Sequence, residues 1–271
     1  MSKFYLKRAS NGVWFGQFVH LAHRGLLHGI STRLGGLSDS PFATLNLGLK
    51  TGDDPEKVRH NRRLFAQAVG ADIDNAVTCQ QVHGDHIHIV TAADAGRGAL
   101  DHAVAVPATD ALATAAAGVP IMLFFADCVP VLVYDPVRRA AAISHAGWKG
   151  TVARIAAKTV LAMADTFGTR PADCLVGIGP SIGPCCYEVD QPVIDALSQS
   201  FCETWQHFVV PRGDRWMLDL WQTNHAQLEE IGVPRDAIAI GGVCTSCNTA
   251  LFYSHRKEKG QTGRLGALIS L

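Results

Sequence analysis

The sequence predicts an α+β protein in which mixed β-sheets are flanked by helices, with residues 1–271 forming a single domain. Short apolar runs follow one another too closely to be joined by the crossover helices of a parallel sheet. Helical patterns alternate with these runs only irregularly, and the chain has no low-complexity linker or internal repeat. The hydrophobic content of 48% and the charged content of 18% provide enough apolar material for a large core.

Continuous apolar runs predict strands that are buried on both faces at residues 119–125, 129–134 and 140–144. The segments 76–82 and 86–90 are expected to form a strand pair around a tight turn at Gly84 and Asp85. Other apolar stretches predict strands at residues 13–19, 26–30, 175–178, 237–243 and 265–271.

Helix signals are clearest after Asp54, where an acidic N-cap is followed by Pro55, and the apolar spacing continues up to Gly70. A single amphipathic helix is predicted over residues 150–167. The small-residue segment 108–118 is interpreted as a packed helix or a turn. Two further helices are predicted at residues 190–201 and 218–231.

The charge pattern argues against several classes of partner. The formal net charge is zero and no long run of like charges occurs, so neither a nucleic-acid surface nor a polybasic membrane anchor is expected. The first eight residues lack the apolar core of a signal peptide, and no window approaches 18 uninterrupted apolar residues. The eight cysteines are therefore expected to be reduced thiols in a cytoplasmic protein.

One cysteine and two histidines, Cys128, His83 and His145, each lie where an apolar run ends. Strand ends bring together side chains that are distant in the sequence. Imidazole and thiolate ligands suit Zn²⁺, and three protein ligands leave a fourth position for water or substrate. The sequence therefore predicts a catalytic metal site at these three residues. Asp127 would point away from Cys128 on an extended strand, so it shares the site only if the backbone turns there.

A second group of cysteines consists of the adjacent pair Cys185-Cys186 and the CxxC motif Cys244 to Cys247. The group could be a structural zinc site or a redox pair. Adjacent cysteines supply ligands awkwardly, and no thioredoxin-like pattern surrounds the CxxC motif, so neither interpretation is favoured. The glycine-rich run 177–184 lacks the lysine of a phosphate-binding P-loop and is interpreted as a shaped turn that lines a pocket.

Several motifs in one order resemble the laccase-domain family, whose members have been called polyphenol oxidases, purine nucleoside phosphorylases and peptidoglycan editing factors. The resemblance extends from about residue 30 to the C-terminus. It rests on the motifs STRLGG, LNLG, VRHNR, QQVHGD, TDALAT, ADCVPVLVYDP, HAGWKGT, GIGPSIGPCCYEV, CT and FYSHR.

The resemblance implies one zinc ion bound by His83, Cys128 and His145, with copper as a substitute metal. It also implies phosphorolysis of adenosine, inosine and methylthioadenosine, together with adenosine deaminase activity. The partners would be a nucleoside and phosphate, and the protein would be a monomer or a weak homo-oligomer. A multicopper oxidase needs several paired histidine motifs, whereas this chain has one HxH motif, His86 to His88. We therefore expect at most weak oxidase activity.

Substrate roles are expected for five further residues. Arg33 and Arg256 are candidates for binding phosphate or substrate, because a guanidinium group binds oxyanions through two hydrogen bonds; a loop-ordering or surface ion pair is the alternative for each. Asn46 and Gln81 could bind the sugar or the base. Asp110, like Asp127, is a candidate proton carrier for deamination, with a loop anchor as the alternative.

Two other functions compete with this interpretation. Cys128 could act as the nucleophile of a metal-free hydrolase with His145 as its base, acting on a peptidoglycan precursor. The chain could instead be a zinc-stabilised binding protein without turnover.

Overall fold

Fourteen strands form three sheets in the computed structural model, which describes residues 3–271. Met1 and Ser2, which the predicted single domain includes, lie outside the described residues. The strands are β1 Phe4–Arg8, β2 Trp14–Phe18, β3 Leu27–Ser31, β4 Ile87–Val90, β5 Ala111–Thr114, β6 Ile121–Phe125, β7 Val129–Asp135, β8 Ala140–Ala146, β9 Leu175–Ile178, β10 Glu188–Val189, β11 Val209–Arg212, β12 Arg215–Leu218, β13 Ile238–Ile240 and β14 Leu265–Ser270.

Six α-helices accompany these sheets within residues 3–271, and none of them is long and apolar enough to cross a bilayer. The helices are α1 Val19–Ala22, α2 Pro55–Val69, α3 Trp148–Val152, α4 Ile155–Phe167, α5 Gln191–Phe201 and α6 Leu220–Glu230. The predicted α+β fold with mixed sheets and flanking helices is confirmed.

The sheets differ in strand direction. The first sheet has the order β1-β2-β3-β14-β6 and is antiparallel throughout. The second has the order β13-β9-β7-β8-β5-β4 and is mixed, because its two outer pairs, β13-β9 and β4-β5, are parallel. A small third sheet contains β10, β12 and β11.

The core has layers that follow from the alternation of side chains along the strands. In β7, Val131 and Val133 pack with residues of α4 and α5, whereas Leu132 packs with Leu123 and Ile269 of the first sheet. The opposite face of the first sheet packs against α2 through residues such as Phe65. The two large sheets therefore lie face to face, with α2 outside one and α4 and α5 outside the other.

The structure confirms the sequence-based elements with strong local signals and corrects three others. Helix α2 begins after Asp54, whose side chain accepts a hydrogen bond from Glu56 N, and it ends at Gly70 in the left-handed conformation.

The predicted hairpin is wrong, because β4 pairs in parallel with β5 and segment 76–82 makes only isolated bridges. The segment 108–118 contains strand β5, not a helix or turn. The predicted helix 150–167 is divided at Arg154, whose φ is 63°.

Candidate metal centre

The three candidate ligands come from three neighbouring segments at one edge of the mixed sheet. His145 lies near the end of β8, and Cys128 directly precedes β7. His83 lies in a bend before β4. His83 has a φ of 63° and Asp127 has a φ of 79°, so two residues next to or within the cluster adopt the left-handed conformation. Such strain in non-glycine residues concentrates at functional sites.

The donor atoms of His83, Cys128 and His145 lie within 4.8 Å of one another. The rings of the two histidines have centroids 4.8 Å apart at an angle of 66°. A Cβ atom at position 147 would approach Cys128 Sγ to 2.8 Å, so Gly147 leaves the sulfur the space it needs. Two imidazoles and one thiolate are a donor set for a divalent transition metal such as zinc. The residues present therefore fit a metal ion.

Asp110 orients this cluster. One of its carboxylate oxygens accepts a hydrogen bond from Nδ1 of His145 at 2.8 Å, which leaves Nε2 of His145 available to a metal. The same carboxylate accepts backbone N–H groups of Val82, His83 and Gly84 at 3.1, 3.0 and 2.7 Å. Asp110 is fully buried, so it holds both histidine segments without contact with solvent.

The electrostatics of the cluster favour a thiolate. Burial opposes a negative charge on Cys128, but His145 and His83 more than offset this effect and lower the pKa of the thiol to about 6. Burial also opposes a positive charge on His145, yet Cys128 and Asp110 raise the pKa of its imidazole to about 9. Without a metal the cluster is therefore a thiolate–imidazolium pair near neutral pH, and the thiolate is the form that binds metals.

Asp127 joins the cluster to two distant loops. Its carboxylate accepts hydrogen bonds from Thr245 Oγ1 at 2.6 Å, Ser254 Oγ at 3.1 Å and the backbone N–H of Arg256 at 2.7 Å. Its backbone carbonyl accepts the N–H of Ile182 at 2.9 Å. The backbone turn that would let Asp127 share the site is present, and its side chain organises the surrounding loops. Its predicted proton-carrying role stays a prediction.

A cavity of about 640 Å³ opens onto the cluster. This volume is within the usual range for small-molecule sites. The lining includes all three candidate metal ligands and Asp127, together with Phe124, Ile182 and Tyr187. The site is therefore large enough for a nucleoside-sized ligand in contact with the cluster.

Cationic side chains line the same cavity, and several were not found by sequence reasoning. They are Lys50, Arg62, Arg256 and Arg264, and two histidines, His102 and His255, line the cavity as well. The guanidinium of Arg62 donates to the carbonyls of Leu47, Gly98 and Ala99 and is fully buried, so it serves the fold. Lys50 and Arg264 are the strongest additional candidates for anion binding. Neither belongs to a motif that identifies it locally, because only the folded loops bring them to the cavity.

The predicted substrate-binding residues have different positions. Gln81 and Arg256 line the cavity, and Asp110 lies directly behind the cluster. The Gln81 amide exchanges two hydrogen bonds with the backbone of Phe124, and the Arg256 guanidinium lies 5.2 Å from the centroid of the Tyr187 ring.

Arg33 and Asn46 lie outside the cavity lining. Arg33 pairs with Glu258 at 2.9 Å and donates to two carbonyls, which is the loop-ordering alternative. Asn46 is buried, and its side chain binds Thr51 Oγ1 at 2.9 Å and the backbone N–H of Arg264 at 2.8 Å. Asn46 therefore positions segments that do line the cavity. Direct substrate contacts of both residues stay predictions.

Solved structures with the same fold were found. The crystal structure of the hypothetical protein YfiH from Bacillus licheniformis aligns with a TM-score of 0.92 and 37% identity, covering 98% of each chain. The crystal structure of YlmD from Geobacillus stearothermophilus aligns with a TM-score of 0.91 and 39% identity, covering 100% of this chain and 99% of the other.

Sequence comparison gives the same relationship. A protein named purine nucleoside phosphorylase YlmD, from Geobacillus stearothermophilus, is 43% identical over 90% of each chain. One named purine nucleoside phosphorylase YfiH, from Escherichia coli, is 34% identical over 89% of this chain and 92% of its own. Residues 27–271 match the family model described as multi-copper polyphenol oxidoreductase laccase. This chain therefore belongs to the family that this description names, the laccase-domain family that its motifs resemble.

Proposed function

We propose that this chain is a zinc-dependent purine nucleoside phosphorylase. It would cleave adenosine and inosine to the free base and ribose 1-phosphate, and methylthioadenosine to adenine and methylthioribose 1-phosphate, with adenosine deamination as a second reaction. The observation that carries the proposal is one cavity that joins the His83, Cys128 and His145 cluster to the cations Lys50 and Arg264. The names of the relatives support the same reaction.

Phosphorolysis requires two kinds of charge stabilisation. A phosphate oxygen forms a bond to C1′ of the ribose while the bond from C1′ to the purine nitrogen breaks. The electron pair of that bond goes to the purine, which takes up a proton. Phosphate enters as an anion and the purine leaves with developing negative charge, so positive groups must surround both.

Lys50, Arg256 and Arg264 supply positive charge on the cavity wall. Guanidinium and ammonium groups form short, charge-assisted hydrogen bonds to phosphate oxygens. Asn46 binds the backbone N–H of Arg264 and the side chain of Thr51, which is next to Lys50 in the sequence. It therefore fixes the position of the segment that carries Lys50 relative to the segment that carries Arg264. We assign the phosphate to this side of the cavity.

The cluster forms another part of the cavity lining. A metal ion held by His83, Cys128 and His145 would supply Lewis-acid polarisation of the substrate, and zinc suits this donor set. Asp110 keeps the proton of His145 on Nδ1, and the bend at His83 is fixed by the same carboxylate. Because donors occupy the carboxylates of Asp110 and Asp127, we propose that both position other groups. With copper in place of zinc at the cluster, we expect at most weak oxidase activity.

One observation favours a second candidate. Cys128, His145 and Asp110 have the order of a nucleophile, a base and an orienting acid, and the pKa of Cys128 is lowered to about 6. A metal-free thiol hydrolase acting on a peptidoglycan precursor would use the same three residues. Its activity would increase on chelation, whereas phosphorolysis would be lost.

The reaction is tested with zinc-loaded protein and a panel of adenosine, inosine, guanosine and methylthioadenosine, each with and without phosphate. We expect free base and sugar 1-phosphate in equal amounts only when phosphate is present, with methylthioribose 1-phosphate as the sugar product of methylthioadenosine, and inosine as a side product from adenosine. Cys128→Ala protein is the control and should form neither free base nor inosine. Zinc-loaded protein that forms no base and no inosine from any nucleoside would refute the proposal. We also propose a reducing, cytoplasmic location, because the proposed metal site needs Cys128 as a reduced thiolate.

A further inference from the structure

A second cluster of sulfur atoms lies where the loop after β9 meets the loop after β13. The Sγ atoms of Cys185, Cys186, Cys244 and Cys247 all lie within 4.8 Å of one another. Cys247 Sγ is 3.6 Å from Cys185 Sγ and 3.3 Å from Cys186 Sγ. In a tetrahedral zinc–thiolate site with bonds of about 2.3 Å, the sulfur atoms are roughly 3.8 Å apart. The sulfur positions therefore match the scale of a four-thiolate metal site.

The backbone explains how two adjacent cysteines face the same point. Adjacent side chains diverge on an extended strand. Here the N–H groups of Cys186 and Tyr187 both donate to the carbonyl of Gly183 at 3.0 Å, and this tight turn brings both thiols to one side. The structure thus removes the geometric objection that adjacent cysteines raise in the sequence.

The two loops are also joined by hydrogen bonds beside the sulfur atoms. The N–H of Thr245 donates to the carbonyl of Ser181 at 3.0 Å. The N–H of Gly183 donates to Cys244 Sγ at 3.2 Å. Backbone N–H groups directed at sulfur stabilise a thiolate over a thiol and orient it as a ligand. Cys244 is buried, whereas Cys185 and Cys247 are exposed, so an ion can enter from the surface.

A disulfide accounts for this arrangement less well than a metal does. Its sulfur atoms must lie about 2.05 Å apart, and it would use only one of the two cysteines near Cys247. A metal ion uses all four sulfur atoms. Each thiol would lose its proton to solvent on binding, and the closed set of four protein ligands leaves no position for a substrate, as in structural zinc sites.

We propose that Cys185, Cys186, Cys244 and Cys247 bind a second, structural metal ion of the thiophilic divalent class represented by Zn²⁺. The ion would fix one wall of the cavity, because Ile182 and Tyr187 on the first loop line that cavity. Thr245 on the second loop holds the carboxylate of Asp127 at 2.6 Å. The proposed ion is therefore connected to the catalytic cluster through two loops without sharing a ligand with it.

The test measures zinc bound to the full-length protein, purified with a thiol reductant, by elemental analysis and native mass spectrometry. We expect two zinc ions in the wild type, one in His83→Ala, one in Cys247→Ser, and none in the double variant. Cys202→Ser changes an exposed cysteine outside the cluster and should retain both ions. These counts use no turnover, so they stand apart from the proposed reaction.

A second measurement covers the case in which Cys247→Ser protein does not fold. His83→Ala protein loaded with Co²⁺ should show the strong thiolate-to-cobalt absorption of a tetrahedral sulfur site, and a mercurial thiol reagent should abolish it. The proposal would be overturned if His83→Ala protein binds no zinc and shows no such absorption with Co²⁺. It would also be overturned if Cys247→Ser protein has the zinc content of the wild type, or if a disulfide joins the two loops in protein purified with the reductant.

Discussion

The carboxylate of Asp110 accepts the Nδ1–H of His145 at 2.8 Å while it also receives three backbone N–H groups from the bend that carries His83. One buried acid thus determines the orientation of two metal-ligand candidates. A histidine whose second nitrogen is bound by a carboxylate presents a fixed, more basic nitrogen to a metal.

Replacing this acid with its amide should weaken metal binding. In Asp110→Asn, one carboxylate oxygen becomes an NH₂ group, which cannot accept the N–H groups now directed at it. We expect the affinity for zinc at the cluster to fall about 10- to 100-fold, which is typical when a carboxylate behind a ligating histidine is removed. Competition with a chromophoric chelator measures this change. Asp236→Asn, at an exposed position, is the control, and equal affinities in the two variants would contradict the role of Asp110.

The lowered pKa of Cys128 predicts how the metal-free protein reacts with iodoacetamide. The thiol ionises with a pKa of about 6 instead of its usual 9.0, so the thiolate exists above pH 6 and disappears as the pH falls below it. After chelation, the rate of Cys128 alkylation should rise to a plateau with a midpoint near pH 6, measured by mass spectrometry of the Cys128 peptide.

Metal should suppress that reaction, because a bound thiolate is a poor nucleophile. Freshly purified, zinc-loaded protein should therefore show slow alkylation of Cys128 but normal alkylation of exposed Cys202. Rapid modification of Cys128 without any chelator would instead support the metal-free hydrolase.

Lys50 should contribute mainly to the binding of phosphate. In Lys50→Met the cavity loses one positive charge, and a hydrogen bond to a charged group contributes about 1.5–3 kcal/mol. We expect the KM for phosphate to rise roughly 10- to 100-fold, with a much smaller change in the KM for nucleoside. Arg63→Met removes an exposed cation from α2 and is the matched control. Equal increases of both KM values in Lys50→Met would show that Lys50 is not on the phosphate side.

Asp127 should stabilise the folded loops around the site. Asparagine tolerates the left-handed φ of 79° at this position, so Asp127→Asn tests the carboxylate and not the backbone. The amide cannot accept from Thr245, Ser254 and Arg256 as the two carboxylate oxygens do. We expect the free energy of unfolding to decrease by about 1–3 kcal/mol, measured by urea denaturation. Asp165→Asn on the exposed face of α4 should change it little, and equal stability of both variants would contradict this account.

Local sequence signals predict those elements whose ends are determined by residues close to them in the chain. The acidic cap at Asp54 and the glycine at Gly70 determine the ends of α2 within the chain itself. The hairpin prediction failed because β4 finds its partner in β5, more than twenty residues away. The break at Arg154 carries no glycine or proline that would indicate it in the sequence.

The same distinction applies to the site. The three candidate ligands could be identified because each ends an apolar run and the motifs resemble a family. The cations Lys50 and Arg264 could not, because Asn46 and the loops around it bring them together only in the folded chain. Arg33 has a suggestive glycine-rich context, yet its partner Glu258 lies 225 residues away and only the structure reveals the pair.

The proposed function requires that nucleoside phosphorolysis depend on a metal held by His83, Cys128 and His145. Its most direct test is the rate of ribose 1-phosphate formation from adenosine and phosphate as zinc is returned to chelated protein, in the wild type and in His83→Ala. We expect the rate to rise with zinc bound at the cluster in the wild type and to stay at background in His83→Ala, even though that variant can still bind zinc at its four clustered cysteines. Phosphorolysis at the wild-type rate in His83→Ala, or in fully chelated wild-type protein, would contradict it.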